Sequence, residues 1–194
     1  MSIIAPTAPR NSSEPDLAAK PLSHWATWTL VLLRVSTGFI FLWAFLDKAF
    51  GLGYSATSAK AWINGGSPTN GFLKSVDVGP LQSTFHSIAG TWWADTLFML
   101  GLLVVGVALI LGIGLRLAAA VGILLMALMW IAEYPVARFN VAGEPTGSSN
   151  PLVDYHFLYA VALLVVAATN AGNMWGLGAR WAKMSFVLKN AWLR

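Results

Sequence analysis

The chain has 194 residues, of which 57% are hydrophobic and only 10% charged. A soluble domain of this length would carry roughly 25% charged residues, so the composition excludes an ordinary soluble enzyme and points to an integral membrane protein. There is no cysteine, which excludes disulfides, thiolate metal sites and iron–sulfur ligation, so a redox role would need a bound cofactor or a partner subunit.

Residues 1–22 are polar and carry four prolines. Such a segment buries no core, and we expect a disordered tail, not a signal peptide. Residues 28–51 form a first membrane-length apolar helix that nonetheless carries Arg34 and Lys48. At ~100° per residue, Arg34, Gly38, Phe41, Phe45 and Lys48 share one stripe. That stripe either faces other helices, because charge in a membrane is costly, or the two basic side chains snorkel to opposite interfaces.

The connection over 52–91 is long enough to carry structure of its own. Ser55 is placed to cap a short helix over 56–62, and Pro80 opens a second segment in which Leu81, Phe85, Ile88 and Trp92 recur at helical spacing. Both read as interfacial amphipathic helices. Residues 92–111 form a second span, a Gly112-Ile113-Gly114 turn follows, and 117–134 form a third. After a Pro/Gly loop, 152–171 form a fourth, whose principal stripe holds His156, Tyr159, Leu163, Ala167 and Asn170. Residues 180–194 read as one basic amphipathic helix lying on an anionic leaflet, with Trp181, Met184, Leu188 and Trp192 on its apolar side.

The expectation is therefore an all-α membrane protein. A four-transmembrane-helix bundle over 23–172 carries an external loop with short interfacial helices, and an amphipathic basic tail covers 173–194. With four spans both termini share a side, which collects Arg10, Lys20, Arg116, Arg180, Lys183, Lys189 and Arg194. The positive-inside rule places that side in the cytoplasm.

At the outer end this topology gathers Asp47 and Lys48 from the first helix, Glu133 from the third, and Asp154, Tyr155 and His156 from the start of the fourth. Polar groups converging in an apolar setting suit a small-ligand site. Asp47, Glu133 and Asp154 read first as interfacial anchors that pair with one another. Lys48 and His156, each on its helix's principal stripe, stand out as functional. His86 reads as a solvated loop residue, and three scattered histidines without paired spacing argue against a metal site.

LLRVSTGFIFLWAFLDKAFG resembles the first-helix signature of the DoxX/DoxD membrane proteins. KAWINGGSPTNGFL with the following GPL…FHSIAG…W is similar to the external segment of the longer members. LGIGLRLAAAVG resembles their turn and third helix, DYHFLYAVALL their fourth, and NMWGLGARW its exit. The motifs appear in family order and cover roughly residues 32–181, with Arg34, Lys48, Arg116 and His156 on the family's recurring polar positions. The resemblance implies a four-helix protein of the bacterial plasma membrane. DoxD-type members form the large subunit of a thiosulfate:quinone oxidoreductase beside a smaller DoxA-type subunit, and other members accompany redox-defence enzymes.

The expected function is thus a subunit that passes electrons from thiosulfate or another small reductant to membrane quinone. Lys48, His156, Glu133 and Asp154 would carry the chemistry, and Arg34, Lys48, Tyr155, His156 and Tyr159 would hold the quinone. The competing expectation is a non-catalytic scaffold of a respiratory or redox-defence complex, with Gly101, Gly106 and Gly112 as packing faces. Transport is the weakest reading, since no internal repeat or broken helix pair is visible. Expected partners are membrane lipids and other subunits or further copies of the chain, with no nucleic acid.

Overall fold

The computed structural model describes residues 22–193. The tail expected over 1–22 therefore lies outside the described residues except for Leu22, and so does Arg194. Ser23 begins the first helix by accepting a hydrogen bond from the Ala26 N–H at 3.2 Å, the ordinary N-cap arrangement. This helix, α1 (His24–Phe50), ends at Gly51, whose φ of 68° is left-handed. At ~1.5 Å per residue its 27 residues reach ~40 Å.

The segment that follows is not loose. Two single 3₁₀ turns, Ser58–Lys60 and Trp62–Asn64, precede the short helices α2 (Asn70–Lys74) and α3 (Gln82–Ile88). The helix expected over 56–62 is absent, because Ser55 is engaged elsewhere: its N–H and hydroxyl both donate to the Asp47 carboxylate. The Tyr54 and Ala56 N–H groups add 3.1 Å bonds to the same carboxylate, which thereby folds the chain back over the end of α1. Asp95 performs the equivalent task on the next helix, where one of its oxygens accepts from Ser67, from the Thr69 N–H and from the Thr69 hydroxyl. Leu73, Val76 and Phe85 then pack with Ala132 as a small second core, so the segment forms a cap on the bundle.

Helices α4 (Trp92–Leu111) and α5 (Leu115–Glu133) follow the cap. Both are long and apolar enough to cross a membrane, as is α1, which makes three candidate spans among the described residues. Helix α6 (Tyr155–Ala168) has 14 residues, ~21 Å, and is shorter than the expected 152–171. Its start is set by Asp154, whose carboxylate caps the Phe157 N–H at 3.1 Å. Its end is set by Thr169 and by Asn170, at φ 47°. No strand is present among the described residues, and only two isolated bridges occur.

Glycine allows α1 and α4 to touch. A Cβ at Gly106 would lie 2.6 Å from the Leu42 backbone nitrogen, and one at Gly38 2.8 Å from Leu109 Cβ. Gly101 meets Leu125 in the same way. The small residues expected to serve partner subunits are therefore engaged inside the chain. The main core, with Phe41, Met99, Val105, Leu109 and Leu163 at its centre, fills the space between the four long helices.

The C-terminal segment is not one helix. It breaks into α7 (Gly178–Trp181), α8 (Ser185–Lys189) and a final 3₁₀ turn. Met184 is extended, and Trp181 Nε1 donates 2.7 Å to the Leu193 carbonyl, which turns the tail back on itself. Val187 is the large side chain buried there among the described residues, whereas Met184, Leu188 and Trp192 of the expected stripe are exposed.

Candidate functional site

A cavity of about 1120 Å³ opens beneath the cap. Its walls come from α1, α4, α5, α6 and the cap segment, and they are predominantly apolar. Lys48, Tyr155, His156 and Tyr159 all line it, together with Ser55 and Thr69. Helix α1 thus delivers Lys48, and α6 delivers the two tyrosines and the histidine, to one space. On one side the wall includes Leu97, 64% exposed, and Leu124, 60% exposed, from the outward faces of α4 and α5.

Lys48 Nζ donates 3.0 Å to the Ser55 hydroxyl, and that hydroxyl in turn donates to Asp47. The ammonium uses one of its three donors in that bond. His156 is the most buried polar group of the site, at 1% exposure. Its Nδ1 lies 2.8 Å from Asp154 Oδ2. An ionised carboxylate can only accept, so Nδ1 carries the hydrogen and the second ring nitrogen is left to face the interior. That nitrogen, Nε2, is buried without a hydrogen-bond partner and lies 3.9 Å from Glu133 Oε1. Arg34 Nε and Trp130 Nε1 are likewise buried without a partner, but of these three residues only His156 lines the cavity, where its free nitrogen is open to a ligand.

Tyr155 packs its ring over the imidazole, with centroids 4.0 Å apart, and its hydroxyl donates 2.6 Å to Glu133 Oε1. Burial by itself would raise the Asp154 carboxyl, but hydrogen bonds from the His156 ring and the Phe157 N–H outweigh it and hold this group below its ordinary range. Asp154 and Glu133 also line a second, polar cleft of about 360 Å³, which shares Tyr155 and Phe72 with the large cavity. The cluster of Glu133, Asp154, Tyr155 and His156 therefore lies between an apolar cavity and a water-facing cleft.

Arg34 belongs elsewhere. Its guanidinium, 1% exposed, donates 2.7 Å and 2.9 Å to the Leu109 and Ile110 carbonyls and 3.4 Å and 3.2 Å to those of Met174 and Trp175. It clamps the C-terminal end of α4 to the turn after α6, and it does not line the cavity. Of the residues expected to hold a cofactor, it is the one that lies away from this cavity, where the free carbonyls of a helix end attract its charge. His86, expected in solvent, sits on α3 with Nε2 2.7 Å from the Val76 carbonyl.

Sequence reasoning missed Ser55 as the link between Asp47 and Lys48, and it missed Asp95 as the anchor of the cap. The signal for Asp95 was available: a carboxylate in the first turn of an otherwise apolar span needs donors, and the Ser/Thr-rich stretch before it supplies them. No family model, curated protein or solved structure matches the chain.

Proposed function

We propose that the chain is a DoxX/DoxD-like membrane subunit of a redox complex that binds a membrane quinone in the cavity beneath its cap. In this reading α6 and its flanking turns complete a fourth crossing. The basic end, with Arg116, Arg180, Lys183 and Lys189, then faces the cytoplasm of a bacterial cell. The observation that carries the proposal is the pairing of a large apolar cavity with a buried His156 nitrogen lacking a partner. A quinone is a flat carbonyl-bearing ring on an apolar chain. The exposed Leu97 and Leu124 give such a molecule a sideways route from lipid, and the volume accommodates the ring with part of its tail.

In this mechanism Lys48 donates to one carbonyl and His156, as imidazolium, to the other. If a quinone were bound and a partner delivered two electrons, His156 Nε2 would supply the proton for one carbonyl oxygen and the Lys48 ammonium the proton for the other. Asp154 keeps the neutral ring in the tautomer with Nδ1–H, and the ring is reprotonated from the polar cleft by way of Glu133. That cleft carries Asp77, Glu133 and Asp154. Their negative charge repels a dianion such as thiosulfate, so oxidation of that reductant falls to a companion subunit.

The test is purification in mild detergent, solvent extraction and chromatography of the bound lipids. A quinone that co-purifies with wild type and is lost from Lys48→Met and His156→Phe, at unchanged elution volume, supports the site. A respiratory complex that co-purifies with quinone-free protein, which also fails to bind added quinone, means the chain is a scaffold.

A further inference from the structure

No spacing along the chain points to a metal, yet the fold brings three donors together. One ligand atom each from Glu133, Asp154 and His156 lie within 4.8 Å of one another. The acidic pair alone would mean little. What distinguishes the group is the imidazole, 1% exposed, with Nε2 unpartnered and 3.9 Å from Glu133 Oε1. Two metal–ligand bonds of ~2.1 Å span up to ~4.2 Å, so one ion bridges this gap without moving either residue far.

The other side of the ring is also arranged for it. Metal-bound histidines characteristically donate their remaining N–H to a carboxylate, which fixes the ring and raises its basicity. Asp154 Oδ2, 2.8 Å from Nδ1, occupies that position. The Tyr155 hydroxyl donates to Glu133 Oε1, and that oxygen keeps a second lone pair for an ion. An ion would arrive by the polar cleft, whose walls include Asp77 as well as Glu133 and Asp154.

We propose that His156 Nε2 and Glu133 bind a divalent transition-metal ion, with Asp154 as the partner that orients the imidazole and water from the cleft completing the coordination. The donors are one imidazole and carboxylate with no thiolate, which selects Zn2+ and its neighbours over soft ions such as Cu+. The ion and a quinone carbonyl compete for the same nitrogen, so metal on His156 switches the quinone site off. Binding itself rests only on the donor geometry, and it is measured in quinone-free protein so that failure of the quinone reading leaves it intact.

The experiment is calorimetric titration of ZnCl2 into the full chain in detergent, purified without a polyhistidine tag. One saturable site per chain is expected. Glu133→Gln and His156→Gln abolish it, Asp154→Asn weakens it about 10–100-fold, and Asp77→Asn leaves it unchanged. Glu133 is 37% exposed, so its substitution tests the site even if the buried histidine variant does not fold. With Co2+ in place of Zn2+, a visible absorption band that disappears in His156→Gln reports the nitrogen ligand directly. Absence of saturable binding in wild type, or Zn2+ bound equally well by Glu133→Gln, overturns the proposal.

Discussion

Arg34→Met is the substitution that most sharply separates scaffold from site. The guanidinium makes four bonds to backbone carbonyls, two of them at 2.7 and 2.9 Å. Hydrogen bonds to a charged group contribute about 1.5–3 kcal/mol each. The two short ones therefore account for about 3–6 kcal/mol, since methionine leaves the Leu109 and Ile110 carbonyls buried without a donor. Arg34→Lys keeps the charge but not the fork that spans two chain segments, and should lose roughly half as much. Unfolding of purified variants in detergent, followed by tryptophan fluorescence against denaturant, gives the stability. Retention of added quinone by the folded fraction gives the site. We expect a large loss of stability with unchanged affinity in the protein that remains folded. Wild-type stability combined with lost quinone would refute the clamp and return Arg34 to the ligand.

Three further outcomes are expected. Because the chain has no native cysteine, Ser149→Cys should react with an impermeant maleimide from outside intact cells and Ser185→Cys should not; the reverse pattern inverts the topology. Gly106→Ala should cost about 1–3 kcal/mol, because its methyl meets the Leu42 backbone. Gly101→Ala should cost less, because it meets only the flexible end of Leu125, and equal costs in denaturant unfolding would show that the helices do not cross as described. The stability Asp154 contributes should be fully present above the ordinary carboxylate pKa of ~3.9 and be lost as pH falls through its lower folded value, because the shift is downward. Hydrogen exchange at the Phe157 amide, protected at pH 5 and opening only in stronger acid, checks this.

Membrane residence and the helical class were legible without coordinates, since an apolar run of span length permits little else. The bounds of α4 coincide with the sequence expectation, 92–111, because glycine follows and a turn precedes. Periodicity also placed Lys48 and His156 on inward stripes, and both line the cavity. Arg34 lay on the same stripe as Lys48, yet it serves the opposite end of the bundle. One helical face passes through several environments over ~40 Å, and spacing cannot say which of them a residue meets.

What tertiary structure alone decided is the pairing of polar groups across large sequence separations. Asp95 holds Thr69 of the cap across 26 residues, and Glu133 meets Tyr155 over an interval of 22. No local pattern encodes such meetings, because each partner is satisfied as well by water or by a neighbour until the helices pack. The tail shows the same limit in reverse: its basic amphipathic pattern is real, but a bond from Trp181 to the Leu193 carbonyl folds it into short pieces. Apolar patterning determines that helices form and cross. Which buried donor finds which acceptor is settled only when packing excludes water and leaves each polar group to the partners within reach.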